Sequence, residues 1–226
     1  MIPAFPVYLF DVDGTLVDSA EDICGAIRTV LSKTSRPDVD SPFLQRYIGY
    51  HLLELFGDLF PDHSAEELDH LVCEYRTVYP ARGHSMTKLY PGVQEALSLL
   101  PGRKSTATTK GTPTTRVVLE QFGLLPFFDH VQGTDGFPCK PNPDVILRSL
   151  EVFKVAPEQC LFIGDSAPDM DAGHRAGVKT CGVRYGYGNL EQMLRFEPDF
   201  WIDDIRELIP TEVAHAPQGV SHETSA

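Results

Sequence analysis

Three short apolar runs constrain the fold of this chain more than any other feature. Residues 7–10, 160–163 and 178–183 are rich in β-forming side chains, and Gly or Asp adjoins each run. Continuous apolar runs such as the first two are typical of strands buried on both faces of a parallel sheet, and the third run resembles them in length and in its β-forming residues. Helical spacing of apolar side chains over residues 113–122 and 141–153 separates the runs. The sequence therefore predicts an α/β fold with a doubly wound, Rossmann-like parallel sheet.

The first crossover of this sheet is too long for a simple strand-helix-strand unit. The next plausible strand, residues 104–108, follows Phe10 by about ninety residues, whereas such a unit needs roughly thirty in all. Ser19-x-x-Asp22 and Ser64-x-x-Glu67 resemble capping boxes, which open helices. We therefore expect an inserted α-helical cap domain. The expected division is a core of residues 1–18 and 89–210, a helical cap of residues 19–88, and a flexible tail of residues 211–226.

Composition excludes several classes of protein. Nineteen basic and thirty-two acidic residues give a net charge of −13, which disfavours binding to a nucleic-acid backbone. The apolar runs are far shorter than the roughly 18 residues that span a bilayer, and the N-terminus lacks a basic signal region. We expect no membrane partner and a cytoplasmic location. The five cysteines form no C-x-x-C pair, which favours free thiols.

Two acidic pairs follow predicted strands. Asp11 and Asp13 come directly after the first run, and Asp165 and Asp169 follow the run at 160–163. Ligand sites of open parallel sheets lie at the carboxyl ends of the strands. Four converging carboxylates would repel one another without a hard divalent cation, and an all-oxygen site favours Mg²⁺ over zinc. Simple turn or helix capping is the alternative, most of all for Asp169.

Two further polar segments lie between the acidic pairs. Thr108-Thr109-Lys110 lies at the end of the strand predicted over residues 104–108, whose side chains are mostly polar. Lys140 precedes the helix predicted over 141–153. A lysine at a helix start opposes the helix dipole, so Lys140 indicates a negative partner, either the acidic crevice or a substrate phosphate. A solvent-exposed lysine is the alternative.

In chain order these motifs read Asp-x-Asp-Gly-Thr, Thr, Lys-Pro-x-Pro and Gly-Asp-Ser-x-x-Asp. The set resembles the haloacid dehalogenase-like superfamily of phosphohydrolases, over a span from Tyr8 to about Leu208. The insert resembles the helical cap that this superfamily places after its first motif. Residues 11–19, together with Tyr90-Pro91-Gly92-Val93, look most like the phosphoglycolate phosphatase group.

The resemblance implies a role for each motif residue. Asp11 would be the nucleophile that forms an aspartyl-phosphate, and Asp13 would be the acid and base. The presence of Asp13 favours phosphoryl transfer over dehalogenation, which needs no leaving-group protonation. Thr108, or Thr109 if the register shifts by one, would bind the phosphoryl group, and Lys140 would neutralise charge. The implied Mg²⁺ site comprises Asp11, the backbone carbonyl of Asp13 and Asp165, supported by Asp169 and Ser166.

The expected activity is Mg²⁺-dependent hydrolysis of a small phosphate monoester such as 2-phosphoglycolate. A β-phosphoglucomutase-like phosphotransferase, a pyrophosphatase or a nucleotidase would use the same scaffold. A phospho-acceptor or binding protein is the non-enzymatic alternative, and the oligomeric state, monomer or homodimer, is left open. The candidate substrate-binding residues are Thr109, Lys110, Arg46, Tyr50 and His51, although the segment that holds the last three could be a helix end that only packs on its neighbour.

Overall fold

The computed structural model describes residues 2–210, so the tail predicted over 211–226 lies outside the described residues. Its strands are β1 (Val7–Phe10), β2 (Val17–Asp18), β3 (Lys88–Leu89), β4 (Arg103–Thr106), β5 (Cys160–Gly164), β6 (Lys179–Val183) and β7 (Phe200–Ile202). Its α-helices are α1 (Ala20–Leu31), α2 (Ser41–Gln45), α3 (Leu52–Leu59), α4 (Ala65–Ala81), α5 (Val93–Leu99), α6 (Thr112–Gln121), α7 (Asp144–Phe153), α8 (Ala167–Ala176) and α9 (Leu190–Leu194).

Five strands form one parallel sheet in the order β4-β1-β5-β6-β7. This order confirms the predicted doubly wound α/β fold. The chain leaves β1 toward β4 on one side and reaches β5 on the other, so the strand order reverses at β1. Open sheets bind ligands in the crevice that such a reversal creates. Every side chain of β1 is fully buried, as a strand covered by helices on both faces requires.

Strand β4 is polar, and it ends two residues earlier than predicted. The predicted strand covers residues 104–108, whereas β4 is Arg103–Thr106. Its polar side chains find partners inside the protein. Lys104 Nζ donates to the carbonyls of Leu100 at 2.7 Å and Gly102 at 2.9 Å, and Thr106 Oγ1 donates to the carbonyl of Gln132 at 2.9 Å. Satisfied hydrogen bonds allow these groups to be buried, which composition alone does not reveal.

Helices α1–α4, here called the helical insert (residues 20–81), separate β2 from β3. These two strands pair antiparallel, with Val17 opposite Leu89 and Asp18 opposite Lys88, so the chain leaves and re-enters the sheet region side by side. The helical insert has a hydrophobic cluster of its own, distinct from the clusters on the two sheet faces. The division of the chain into a core and a cap domain stays a prediction.

One of the two predicted capping boxes forms and the other does not. Ser64 Oγ accepts from the N–H of Glu67, and the Glu67 carboxylate accepts from the N–H of Ser64, as predicted. Ser19 precedes α1, but its side chain caps no backbone N–H. Ser19 Oγ donates instead to Asp13 Oδ1 at 2.6 Å. The capping prediction for Ser19 and Asp22 is therefore wrong, because both side chains have tertiary partners.

Asp22 is fully buried in the helical insert and joins α1 to the segment that follows α4. Its carboxylate accepts hydrogen bonds from the N–H of Met86 at 2.9 Å, Thr87 Oγ1 at 2.8 Å and Arg82 Nε at 3.2 Å. A buried carboxylate needs such partners to offset its lost hydration. Asp22 thus fixes the exit of the helical insert.

Within residues 2–210, no helix is long and apolar enough to cross a membrane. The five cysteines are all free thiols, as expected from their spacing.

We predict that Asp22→Ala lowers the free energy of unfolding by about 3 kcal/mol, because it removes the carboxylate that pairs with Arg82 and leaves buried donors without an acceptor. Urea denaturation followed by circular dichroism measures this change. Glu21→Ala is the matched control, since Glu21 is exposed on the same helix turn, and it should shift stability by no more than about 0.5 kcal/mol. Equal effects of the two substitutions would contradict the assignment.

Candidate active site

The sequence-predicted acids and polar residues meet at one edge of the sheet. Asp11 follows β1 directly, Asp165 follows β5 directly, and Thr108 lies two residues after β4. These three strands are neighbours, and their carboxyl ends therefore open onto the same crevice. Gly14 adopts a left-handed φ of +89°, and a Cβ at this position would lie 2.2 Å from Asp165 Oδ2. Glycine is required here so that the first acidic loop can approach the second.

Asp11, Asp165 and Asp169 form a buried acidic cluster. One carboxylate oxygen from each residue lies within 4.8 Å of the other two. Burial raises the pKa of Asp11 to about 6, although the charge of Lys140 opposes the rise. Burial, followed by the charges of Asp169 and Asp11, raises the pKa of Asp165 well above its usual range. The surrounding protein therefore does not offset the cost of ionising Asp11 and Asp165 at their usual pKa values.

Lys140 provides the buried cation of this cluster. Its side chain is fully buried, and Nζ donates to Asp11 Oδ1 at 2.8 Å, Asp169 Oδ1 at 2.5 Å and the carbonyl of Ala107 at 3.1 Å. Burial alone would lower the pKa of Lys140, but the two carboxylates outweigh it and raise the pKa. Helix α7 begins only at Asp144, so the expectation that Lys140 lies at a helix start is wrong. Its negative partners are the acidic cluster.

Asp13 lies outside this three-acid cluster and has hydrogen-bond and ion-pair partners of its own. Ser19 Oγ donates to Asp13 Oδ1 at 2.6 Å, and Lys110 Nζ lies 3.2 Å from Asp13 Oδ2. Lys110 Nζ also donates to the Tyr79 hydroxyl at 2.8 Å. Each oxygen of Asp13 therefore has one fixed partner, and the carboxylate lies in the wall of the cavity described below.

The second acidic loop is held by hydrogen bonds to each carboxylate. Asp165 accepts from Thr15 Oγ1 at 3.3 Å and from the N–H of Tyr187 at 2.8 Å. Asp169 accepts from the N–H of Ser166 at 2.9 Å and from Ser166 Oγ at 2.6 Å. Asp169 thus caps the start of α8, the alternative considered from sequence, and pairs with Lys140 through its other oxygen.

Thr108 and Thr109 both line the cavity but have different partners. Thr108 is buried, and its Oγ1 accepts from the N–H of Lys110 at 3.3 Å. Thr109 Oγ1 donates to the carbonyl of Gly49 in the helical insert at 3.3 Å. Thr109 therefore contacts the insert, whereas the hydroxyl proton of Thr108 has no acceptor within residues 2–210 and can be donated to a ligand. The identity of the threonine that contacts a phosphoryl group stays a prediction.

A cavity of about 480 Å³ lies between the sheet edge and the helical insert. Asp11 and Asp13 lie on its sheet side, and Tyr75 and Tyr79 of α4 lie on its insert side. The rings of these two tyrosines stack with centroids 5.4 Å apart. The cavity is large enough for a small organic molecule beside the acidic cluster.

Two of the three insert residues predicted to bind substrate line this cavity. Tyr50 and His51 do so, and the Tyr50 hydroxyl donates to Gln192 Oε1 of α9 at 3.3 Å. Burial, followed by the nearby charge of Arg76, lowers the pKa of His51 and favours its neutral form. Arg46 is exposed, has its guanidinium 4.9 Å from the centre of the Phe43 ring, and does not line the cavity.

A different cation, Arg76 of α4, lines the cavity and was not among the predicted substrate-binding residues. Arg76 lies four residues after Val72 and three before Tyr79, at helical spacing from two cavity-lining side chains. This spacing is the feature of the sequence that could have indicated that Arg76 lies on the cavity side of α4. Ser19 and Tyr187 were also missed as partners of the acids.

The buried acidic cluster fits a hard divalent cation. Its three carboxylates offer only oxygen donors, which suit Mg²⁺ better than a softer metal. Lys140 is the one buried cation that the structure places among them within residues 2–210. The raised pKa values of Asp11 and Asp165 show that further positive charge would stabilise the ionised cluster.

Comparison with known proteins identifies the family. The model of the haloacid dehalogenase-like hydrolase family matches residues 8–183. A phosphoglycolate phosphatase of Vibrio cholerae is 33% identical over 222 residues, which cover 92% of this chain and 96% of the relative. A phosphoglycolate phosphatase of Pseudomonas putida is 31% identical over 214 residues, which cover 89% of this chain and 78% of the relative.

Solved structures agree. A predicted phosphatase from Clostridium acetobutylicum superposes with a TM-score of 0.84 at 28% identity, covering 91% of this chain and 97% of the other. A predicted phosphoglycolate phosphatase from Haemophilus somnus superposes with a TM-score of 0.80 at 26% identity, covering 92% and 98%. These matches confirm the resemblance seen in the motifs and the expectation of a phosphoric monoester hydrolase. The chain belongs to the haloacid dehalogenase-like hydrolase family.

Proposed function

We propose that this protein is a Mg²⁺-dependent phosphatase that hydrolyses a small phosphate monoester through an aspartyl-phosphate on Asp11. The observation that carries the proposal is the position of the Asp11 carboxylate. It is buried, bound by Lys140 at 2.8 Å, and lies in the wall of the cavity together with Asp13. A carboxylate so placed is a candidate nucleophile, and a second carboxylate beside it is a candidate acid and base.

The reaction follows from these two carboxylates. An oxygen of Asp11 attacks phosphorus, the bond from phosphorus to the leaving oxygen breaks, and protonated Asp13 gives its proton to that oxygen. Asp13 then takes a proton from water, whose oxygen attacks phosphorus and releases Asp11 and inorganic phosphate. Ser19 and Lys110 hold Asp13 in place for both proton transfers.

Charge compensation falls to Lys140 and a metal. Lys140 neutralises part of the charge of Asp11, so that an anionic phosphoryl group can approach. Asp11, Asp165 and the backbone carbonyl of Asp13 would hold the Mg²⁺, with Asp169 and Ser166 in support. When bound, the metal offsets the negative charge shared by the nucleophile and the phosphoryl group. Thr108 would donate its hydroxyl to a phosphoryl oxygen.

We further propose 2-phosphoglycolate as the substrate, because relatives that carry this name cover most of the chain. This substrate has a carboxylate that requires a cation. Lys110 is already engaged with Asp13 and Tyr79. Arg76 lines the cavity and has no ion pair with any carboxylate in the described part of the chain, so we assign the substrate carboxylate to Arg76.

We predict that Asp11→Asn lowers phosphate release by about a thousandfold or more, because the amide cannot form the acyl phosphate. The assay compares both proteins with Mg²⁺ and with EDTA on 2-phosphoglycolate, glucose 1-phosphate, pyrophosphate and a nucleoside monophosphate. The thermal unfolding midpoint shows that the variant is folded. If Asp11→Asn released phosphate as fast as the wild type, Asp11 would not be the nucleophile.

Product analysis in the same assay separates the alternative reactions. Free phosphate from 2-phosphoglycolate supports the proposal. Glucose 6-phosphate formed from glucose 1-phosphate would indicate a phosphotransferase, and preferred cleavage of pyrophosphate or a nucleotide would replace the substrate assignment.

For Arg76→Ala we expect the KM for 2-phosphoglycolate to rise about tenfold, because a charge-assisted contact is lost, while the KM for phenyl phosphate stays nearly constant. Arg46→Ala is the matched control, since Arg46 lies outside the cavity, and it should change neither value. If Arg46→Ala has the larger effect, the carboxylate site lies elsewhere.

The acidic cluster also predicts that one substitution, Asp165→Asn, increases stability in the absence of metal and abolishes the stabilisation by Mg²⁺. In EDTA, Asp165→Asn should raise the free energy of unfolding by roughly 1 kcal/mol, because it removes a carboxyl group whose ionisation is opposed in the folded state by burial and by two neighbouring acids. Saturating Mg²⁺ should raise the unfolding midpoint of the wild type but not of this variant. Asp171→Asn, on the same helix α8 but paired with Arg175 at the surface, is the control. A variant stabilised by Mg²⁺ as much as wild type would exclude Asp165 as a ligand.

A further inference from the structure

The start of α1 obtains its hydrogen-bond partner from a distant loop. Ser19 occupies the N-cap position, but its hydroxyl is bound to Asp13. Backbone N–H groups at a helix start need acceptors when they are buried. The Tyr187 hydroxyl accepts from the N–H of Ser19 at 2.7 Å and from the N–H of Ala20 at 3.0 Å. Tyr187 therefore supports the helix start while the Ser19 side chain serves Asp13.

The same hydroxyl also reaches the strand before α1. Tyr187 donates its proton to Asp18 Oδ1 at 2.7 Å. Burial raises the pKa of Tyr187, and the hydrogen bond to Asp18 raises it further, so the hydroxyl keeps this proton at neutral pH. Two hydrogen bonds of this hydroxyl thus fix the backbone of Ser19 and Ala20, where the helical insert begins, and the third binds the Asp18 side chain.

The other end of Tyr187 is fixed against the acidic cluster. Its backbone N–H donates to Asp165 Oδ2 at 2.8 Å. The glycines on either side allow close approach: a Cβ at Gly186 would lie 2.3 Å from Asp165 Cβ, and one at Gly188 would lie 1.8 Å from the Asp165 carbonyl oxygen. The loop after β6 is therefore packed onto the Asp165 backbone and cannot shift without displacing it.

We propose that Tyr187 is a positioning residue for the acid and base of this active site. Its hydroxyl fixes the backbone of Ser19, and Ser19 Oγ in turn orients the Asp13 carboxylate. Tyr187 is itself held in place by the hydrogen bond from its backbone N–H to Asp165. The inference rests on the proposed function, because it assigns Asp13 the protonation of the leaving group. It predicts that the Tyr187 hydroxyl matters most when the leaving group needs that proton.

Tyr187→Phe tests this directly, since it removes the hydroxyl but keeps the ring and the N–H bound to Asp165. We expect kcat/KM to fall about tenfold for an alkyl phosphate such as 2-phosphoglycolate and less than about twofold for 4-nitrophenyl phosphate, whose leaving group departs without a proton. The ratio kcat/KM reports the first phosphoryl transfer, in which the leaving group departs. The Mg²⁺ concentration for half-activation should be unchanged.

Two further variants complete the experiment. Ser19→Ala should show the same dependence on the leaving group, and the double variant should lose little more than Ser19→Ala alone, because both act through Asp13. Tyr8→Phe removes another buried tyrosine hydroxyl, which accepts from the N–H of Phe5 far from the site, and should leave both esters unaffected.

The outcomes are distinct. Equal losses on both esters, or a weakened Mg²⁺ response in Tyr187→Phe, would show a merely structural role and overturn the inference. No loss on either ester would overturn it as well. Failure of the proposed function would appear separately, as activity that survives Asp11→Asn in the same assays.

Discussion

The buried ammonium of Lys140 is the interaction on which the rest of this site depends. It contacts Asp11 after β1, Asp169 on α8 and the Ala107 carbonyl after β4, and so joins three parts of the sheet edge. Burying one ion costs several kcal/mol, which good geometry and full hydrogen bonding can offset. Without Lys140, the carboxylates of Asp11 and Asp169 would lie buried without a counter-ion. The crevice at the strand reversal exists as an acidic site because this cation is present.

Much of the fold and of the acidic site could be predicted from the sequence, for reasons visible in particular residues. The strands β1 and β5 are uninterrupted apolar runs, so their burial on both faces follows from composition. Asp11 and Asp165 come directly after these two strands, and the parallel pairing of the strands brings the two acids to the same edge of the sheet. The bounds of β4 could not be predicted in the same way, because Lys104 and Thr106 are buried only through distant hydrogen-bond partners.

The wrong predictions for Ser19 and Arg46 have the same cause: both were based on local sequence, whereas tertiary contacts decide what each side chain binds. Ser19 has the residue type and position of a helix cap, but Asp13 takes its hydroxyl. Arg46 and Arg76 both lie in or beside helices of the insert, and only the orientation of those helices against the sheet decides which one reaches the cavity. No single-sequence pattern contains that orientation.

The departures from local rules coincide with the site, and this coincidence is itself an argument about function. A neutral residue in place of Asp165 would relieve charge repulsion, and a Ser19 that capped its own helix would free Tyr187. The chain does neither. It keeps three buried carboxyl groups around one lysine, which leaves the pKa values of Asp11 and Asp165 raised, and it binds Asp13 to Ser19 and Lys110. Buried acids at the sheet edge lower the stability of the fold. Such a cost is expected at a functional site, where a bound metal ion would offset the negative charge of the acids and of an anionic substrate.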